Sequence, residues 1–201
     1  MSNIIERAKE YVTEYLSNYL STDYNYHCIN HTLDVVKNTE EIGRGSFLSE
    51  KEFDIVILAA WFHDVGYSKG GNGHEKTSID IAEKFLITNI FLIEDIEHVK
   101  KCIEATILSH VPNSLLEEIL SDADILHIGK EDYLEKAELL RKELKQNQNK
   151  NYSDDEWIKN NIEFLTKHNF YTKYAKTNYG LQRIKNIEKL KNQLNKLVGK
   201  D

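Results

Sequence analysis

Residues 61–66 read WFHDVG, and His63-Asp64 closes an apolar run that starts at Phe53. An imidazole or carboxylate in so greasy a setting costs several kcal/mol unless it is paired or coordinated. Other polar groups share the predicament. His31 sits beside Leu33, Val35 and Val36; His110 ends the stripe Ile96, Val99, Ile103, Ile107; Asp124 lies among Leu120, Ala123 and Leu126. Several such groups are most economically explained by a shared cation. Imidazole and carboxylate suit divalent ions such as Mn, Fe, Co, Ni, Zn or Mg. Within a helix, neighbours diverge by about 100°. At a helix end the backbone can relax, so His63 and Asp64 can aim at one place.

The elements that must hold these residues read as helices. Apolar residues recur at three- and four-residue spacings, and Pro112 is the only proline. The expected fold is all-α, a single-domain helical bundle over 1–201, with a metal site between helices. Ile4, Ile5, Ala8, Val12, Tyr15, Leu16 and Leu20 mark a first helix. A second runs from about Asn30 to Ile42 and ends in Gly-Arg-Gly-Ser. Ser49-Glu-Lys-Glu52 fits a capping box and opens the third, apolar nearly all round and so central. Gly66 is expected to terminate it, with a flexible loop over 67–73. Helices are then expected over about 74–87 and 95–110, and after Ser114, where Glu117 makes a second cap. The stretch KQNQNKNYSDD reads as a loop following the next helix, and Ser153 caps another. The last helix is placed over Leu181–Val198, its stripe Ile184, Ile187, Leu190, Leu194, Val198 assigned to the core.

The formal net charge of −7, with no strongly basic segment, argues against a nucleic-acid duplex as partner. No apolar run reaches the length of about 18 residues that a membrane span needs. The amino-terminal MSNIIERAKEYV lacks a signal peptide's apolar stretch. Cys28 and Cys102 have no motif spacing and read as free thiols in a reducing compartment. The expected location is the cytoplasm.

The order His31…His63-Asp64…Asp124, in the contexts HTLDVV, LAAWFHDVGY and ILSDADIL, resembles the signature of the HD-domain superfamily of metal-dependent phosphohydrolases. The resemblance covers about residues 24–130. It implies His31, His63, Asp64 and Asp124 as ligands of one metal. Asp122 lies about 200° from Asp124 on a helix and is read as a cap or as a partner orienting a ligand. His74 in GNGHEKTS and His110 in ILSH match positions where two-metal members bind a second ion, with Asp64 bridging. Contact with substrate phosphate or water on a one-metal site is the other role open to them. YHCINH resembles the YHN stretch of cyclic-nucleotide phosphodiesterases, which suggests His27 as general acid, although Cys28 stands where that motif has asparagine. Lys69 and Lys76 flank a glycine-rich loop and could steer an anionic substrate.

The resemblance implies hydrolysis of a phosphomonoester or phosphodiester, with a nucleotide as the expected small-molecule substrate. Metal-activated hydroxide would attack, with His27 or His110 protonating the leaving oxygen. Two alternatives remain: a metal- or nucleotide-binding sensor without turnover, and a di-iron oxygenase sharing the ligand pattern. A guanosine-tetraphosphate hydrolase is disfavoured, because Val65-Gly66-Tyr67-Ser68 stand where that group has an acidic pair. The region beyond about residue 145 is left to core packing, a pocket wall or a homodimer contact.

Overall fold

The computed structural model describes residues 3–199, the side chain of Val198 excepted. Among these residues there are nine α-helices and no strand. They are α1 (Asn3–Tyr19), α2 (Ile29–Gly45), α3 (Glu50–Phe62), α4 (His74–Thr88), α5 (Ile93–Glu104), α6 (Leu115–Ile125), α7 (Tyr133–Gln148), α8 (Asp154–Lys167) and α9 (Lys173–Val198). Short 3-10 turns occupy Val65–Lys69 and Leu126–Gly129. No helix among the described residues is long and apolar enough to cross a membrane.

The chain packs as two compact units. One holds the chain up to Thr22 and His27–Asp124; the other holds Asp23–Tyr26 and the chain from Ile125 onward. In the first, α3 is the post. Its residues from Ile55 to Phe62 are all buried, and α1, α2, α4 and α5 pack around it. Each large side chain so buried contributes about 1.5–3 kcal/mol. The capping box forms: the Glu52 N–H donates to Ser49 Oγ and the Ser49 N–H donates to the Glu52 carboxylate at 2.9 Å. Tyr11 of α1 lies 5.0 Å from Phe85 and 6.0 Å from Phe62, ring to ring. Asn38 donates to the carbonyl of Ala123 at 2.9 Å, tying α2 to α6. Lys51 meets Asp95 at 2.8 Å, tying the first turn of α3 to that of α5.

In the second unit, Leu126–Gly129 packs on α9. Gly129 is required there, since a Cβ would stand 2.7 Å from Cβ of Tyr179 and 2.8 Å from its carbonyl oxygen. Asn186 of α9 donates to the carbonyls of Ile128 at 2.9 Å and Lys130 at 2.8 Å. Tyr133 donates to Asn161, joining α7 to α8. The Ser153 capping box opens α8 as expected.

Several boundaries differ from the sequence reading. The second helix continues through Gly45. The fifth stops at Glu104, because Thr106, Ile107 and His110 donate to carbonyls three residues back, and Thr106 Oγ also takes the Ile103 carbonyl. The loop expected over 67–73 is a 3-10 turn as far as Lys69. Lys145–Gln148 belong to α7. The last helix starts eight residues early, at Lys173, where Thr172 accepts from the Ala175 N–H. Its apolar stripe is not all core: Leu190 is buried, Ile187 and Leu194 are half-buried, and Ile184 is exposed. The Val198 side chain lies outside the described residues.

Candidate metal centre

The site is built where α3 stops. His63 keeps helical backbone (φ −52, ψ −39), and Asp64 then swings to φ −110, ψ 3. That change brings both side chains to one place. Gly66 does not act as the terminator. A Cβ at this position would stand 2.0 Å from the His74 carbonyl oxygen and 2.9 Å from the Ser78 nitrogen. Gly66 lets the 3-10 turn lie against the first turn of α4, and its N–H donates to Ser78 Oγ at 2.9 Å. This close approach carries His74 to the site.

His31 Nε2 lies 3.0 Å from Asp124 Oδ1 and 3.4 Å from Asp64 Oδ2. His63 Nε2 lies 3.2 Å from Asp64 Oδ2, 3.4 Å from His31 Nε2 and 3.7 Å from Asp124 Oδ1. Ligand atoms of His31, His63 and Asp124 all fall within 4.8 Å of one another. Asp64 divides its oxygens: Oδ2 faces His31 and His63, while Oδ1 lies 3.3 Å from His74 Nε2. Each second nitrogen matters too. His63 Nδ1–H donates to the Ala60 carbonyl at 2.8 Å, and His74 Nδ1–H to the Gly71 carbonyl at 3.0 Å. Both rings thereby keep Nε2 free for a ligand role.

The residues fit a divalent ion. The donors are the imidazoles and carboxylates such ions take. Asp64 Oδ2 is buried and accepts no hydrogen bond, which leaves it suited to a cation. Without an ion, the imidazoles and carboxylates of the cluster favour one another's charged forms. Burial would lower the His31 pKa, but Asp124 and Asp64 outweigh it and raise it to about 10. His63 and His74 are raised in the same way, against burial, by Asp64 above all. Burial would raise the carboxyls of Asp64 and Asp124, yet the surrounding histidines hold both below their usual range.

Other expected site residues stand differently. His27 is half-buried and stacks on Tyr67, centroids 4.1 Å apart and planes 13° apart; its ring lies 5.7 Å from that of His31. His110 Nε2 is buried and, among the described residues, makes no hydrogen bond. Its Nε2 lies 3.6 Å from Glu117 Oε2, and Glu117 also accepts from the Asn113 N–H at 2.8 Å and from Ser114 Oγ at 3.0 Å. Lys69 lies over the Tyr19 ring at 5.4 Å, and Lys76 is exposed. Asp122 is fully buried. Sequence reasoning missed Tyr67. Its ring lies between those of His27 and His74, 4.0 Å from the latter, and only its place directly after His63-Asp64-Val65-Gly66 could have pointed to it.

In an all-helical unit, histidines and aspartates from α2, the end of α3, α4 and α6 converge in a cluster compatible with a divalent metal ion. The HD-domain family model matches residues 28–129, and the chain belongs to that family. The match thus places it in a superfamily typified by metal-dependent phosphohydrolases. Comparison with curated proteins and with solved structures returns no match.

Proposed function

We propose that this chain hydrolyses a phosphate ester, a nucleotide being the expected substrate, with a divalent ion held by His31, His63, Asp64 and Asp124. The observation that carries the reading is the convergence of His31, His63 and Asp124 around a buried Asp64 oxygen that lacks a hydrogen-bond donor. When bound, the ion supplies Lewis acidity, activating water and offsetting phosphoryl charge. The chain's own residues do the rest. The Ala60 carbonyl fixes the tautomer of His63, and the Gly71 carbonyl that of His74. Tyr67 holds the His27 ring beside the cluster, where a proton can pass from it to the leaving oxygen. Lys76, exposed on the first turn of α4, adds positive charge for an anionic substrate.

The site is read as holding one ion tightly. Among the described residues His74 Nε2 also approaches Asp64, at 3.3 Å, while His110 Nε2 lies 3.6 Å from Glu117, which supports this reading. The test is a screen of phosphomonoesters and phosphodiesters, nucleotides included, on protein loaded in turn with Mn, Fe, Co, Ni, Zn and Mg. Turnover that disappears in Asp64→Asn supports the proposal. Tight nucleotide binding without turnover would move the assignment to a sensor, and iron-dependent oxygen uptake to an oxygenase.

A further inference from the structure

Away from the metal cluster, the HD-containing unit exposes large apolar side chains where nothing in the proposed chemistry uses them. The turn between α4 and α5 presents Ile87, Ile90, Leu92 and Ile93, which are 60%, 90%, 65% and 78% exposed. The turn between α2 and α3 presents Phe47, 94% exposed. The Lys51–Asp95 pair joins the first turns of α3 and α5, so both turns lie at one end of the unit. His63 and Asp64 lie beyond the opposite end of α3.

Two of these residues sit in strained backbone. Phe47 has φ 59 and Ile90 has φ 57, the left-handed region that glycine and asparagine occupy cheaply and a β-branched residue rarely enters. Local structure therefore argues for a small or polar residue at both points, and each carries a bulky apolar one that is nearly fully exposed. Strain held in an exposed position points to a use outside the chain's own core.

We propose that Phe47, Ile87, Ile90, Leu92 and Ile93 form the face through which two copies of this chain associate about a twofold axis. At these exposures the five side chains present roughly 400–600 Å² of apolar surface. Two such faces bury about 1,000 Å², the lower bound of a specific interface, before any polar rim is counted. The rim suits a self-complementary contact. Arg44 and Lys84 are exposed beside this face, as are Glu50 and Glu94, so each copy brings both signs. Nearby, Lys51 is paired with buried Asp95 and Lys100 with Glu97, so much of the positive charge that an anionic bilayer would hold is already offset.

The experiment is sedimentation equilibrium of the full chain across the micromolar range, for wild type and the double variant Phe47→Asn, Ile90→Asn. Asparagine accepts the left-handed backbone, so the variant is expected to keep its circular dichroism and a melting temperature at or above wild type. The expected result is a wild-type dimer whose dissociation constant rises about a hundredfold in the double variant. Leu181→Asn, an exposed leucine on α9, is expected to leave it unchanged. A wild type that is monomeric throughout, or a double variant that still dimerises as wild type does, overturns the proposal. So does cosedimentation of monomers with phosphatidylcholine vesicles, which would make the face a bilayer contact. A double variant with a lowered melting temperature overturns the premise that these side chains are unused within their own chain.

Discussion

Replacing Gly66 with alanine tests how the site is assembled. The new Cβ would fall 2.0 Å from the His74 carbonyl oxygen and 2.9 Å from the Ser78 nitrogen, both of them backbone atoms that cannot rotate away. The Val65–Lys69 turn and the start of α4 must therefore separate. Overpacking of this kind costs about 1–3 kcal/mol, and loss of the Gly66–Ser78 hydrogen bond adds about 1 kcal/mol. The expected loss of about 2–4 kcal/mol lowers the melting temperature by roughly 5–15 °C. Because His74 rides on that turn, the variant should also bind Mn or Zn more weakly. Thermal denaturation with chelator and with metal measures both effects. Ser78→Ala, which removes the hydrogen bond without a clash, should cost only about 1 kcal/mol. A Gly66→Ala variant within 2 °C of wild type would refute the close approach and restore Gly66 to the part of a simple helix terminator.

Three further outcomes follow from the same geometry. Without metal, the His31 pKa stands at about 10 against an ordinary 6.5, so its contribution is fully present below pH 6.5 and is lost as the pH climbs through 10. The melting temperature in chelator should fall over that window, and the gain from adding metal should grow, because metal needs the imidazoles deprotonated; a gain that shrinks as pH rises contradicts this. His110→Ala should leave metal content unchanged, since His110 faces Glu117, whereas His74→Ala should weaken binding; elemental analysis of both variants distinguishes them. His27→Ala should lower kcat by about 10²–10⁴ with metal content intact, as expected for a lost proton donor, and unchanged kcat would remove His27 from that role.

How much of this was legible beforehand depends on whether the cause is local. Ser49 and Glu52 announce the start of α3 because a capping box is closed by residues three apart. His31, His63, Asp64 and Asp124 stand out because polar groups on apolar faces need a partner, and all four meet. The end of α5 was hidden: Ile107 and His110 continue the spacing of Ile96, Val99 and Ile103, and turns bonded three residues back preserve that pattern. The start of α9 was hidden for the opposite reason, since Lys173–Gly180 has little apolar periodicity and only Thr172 marks the cap. The parts of Gly66 and Tyr67 rest on contacts with segments elsewhere in the chain, with α4 for the glycine and with His27 and His74 for the tyrosine. No local pattern encodes them.

The most direct test of the metal centre is elemental analysis of protein purified without chelator, run beside His63→Ala. The account predicts one divalent transition-metal ion per chain in wild type, and its loss in the variant with most helical circular dichroism retained. Wild-type protein that holds no metal and takes up none on reconstitution, or a His63→Ala variant that keeps its ion, would contradict it.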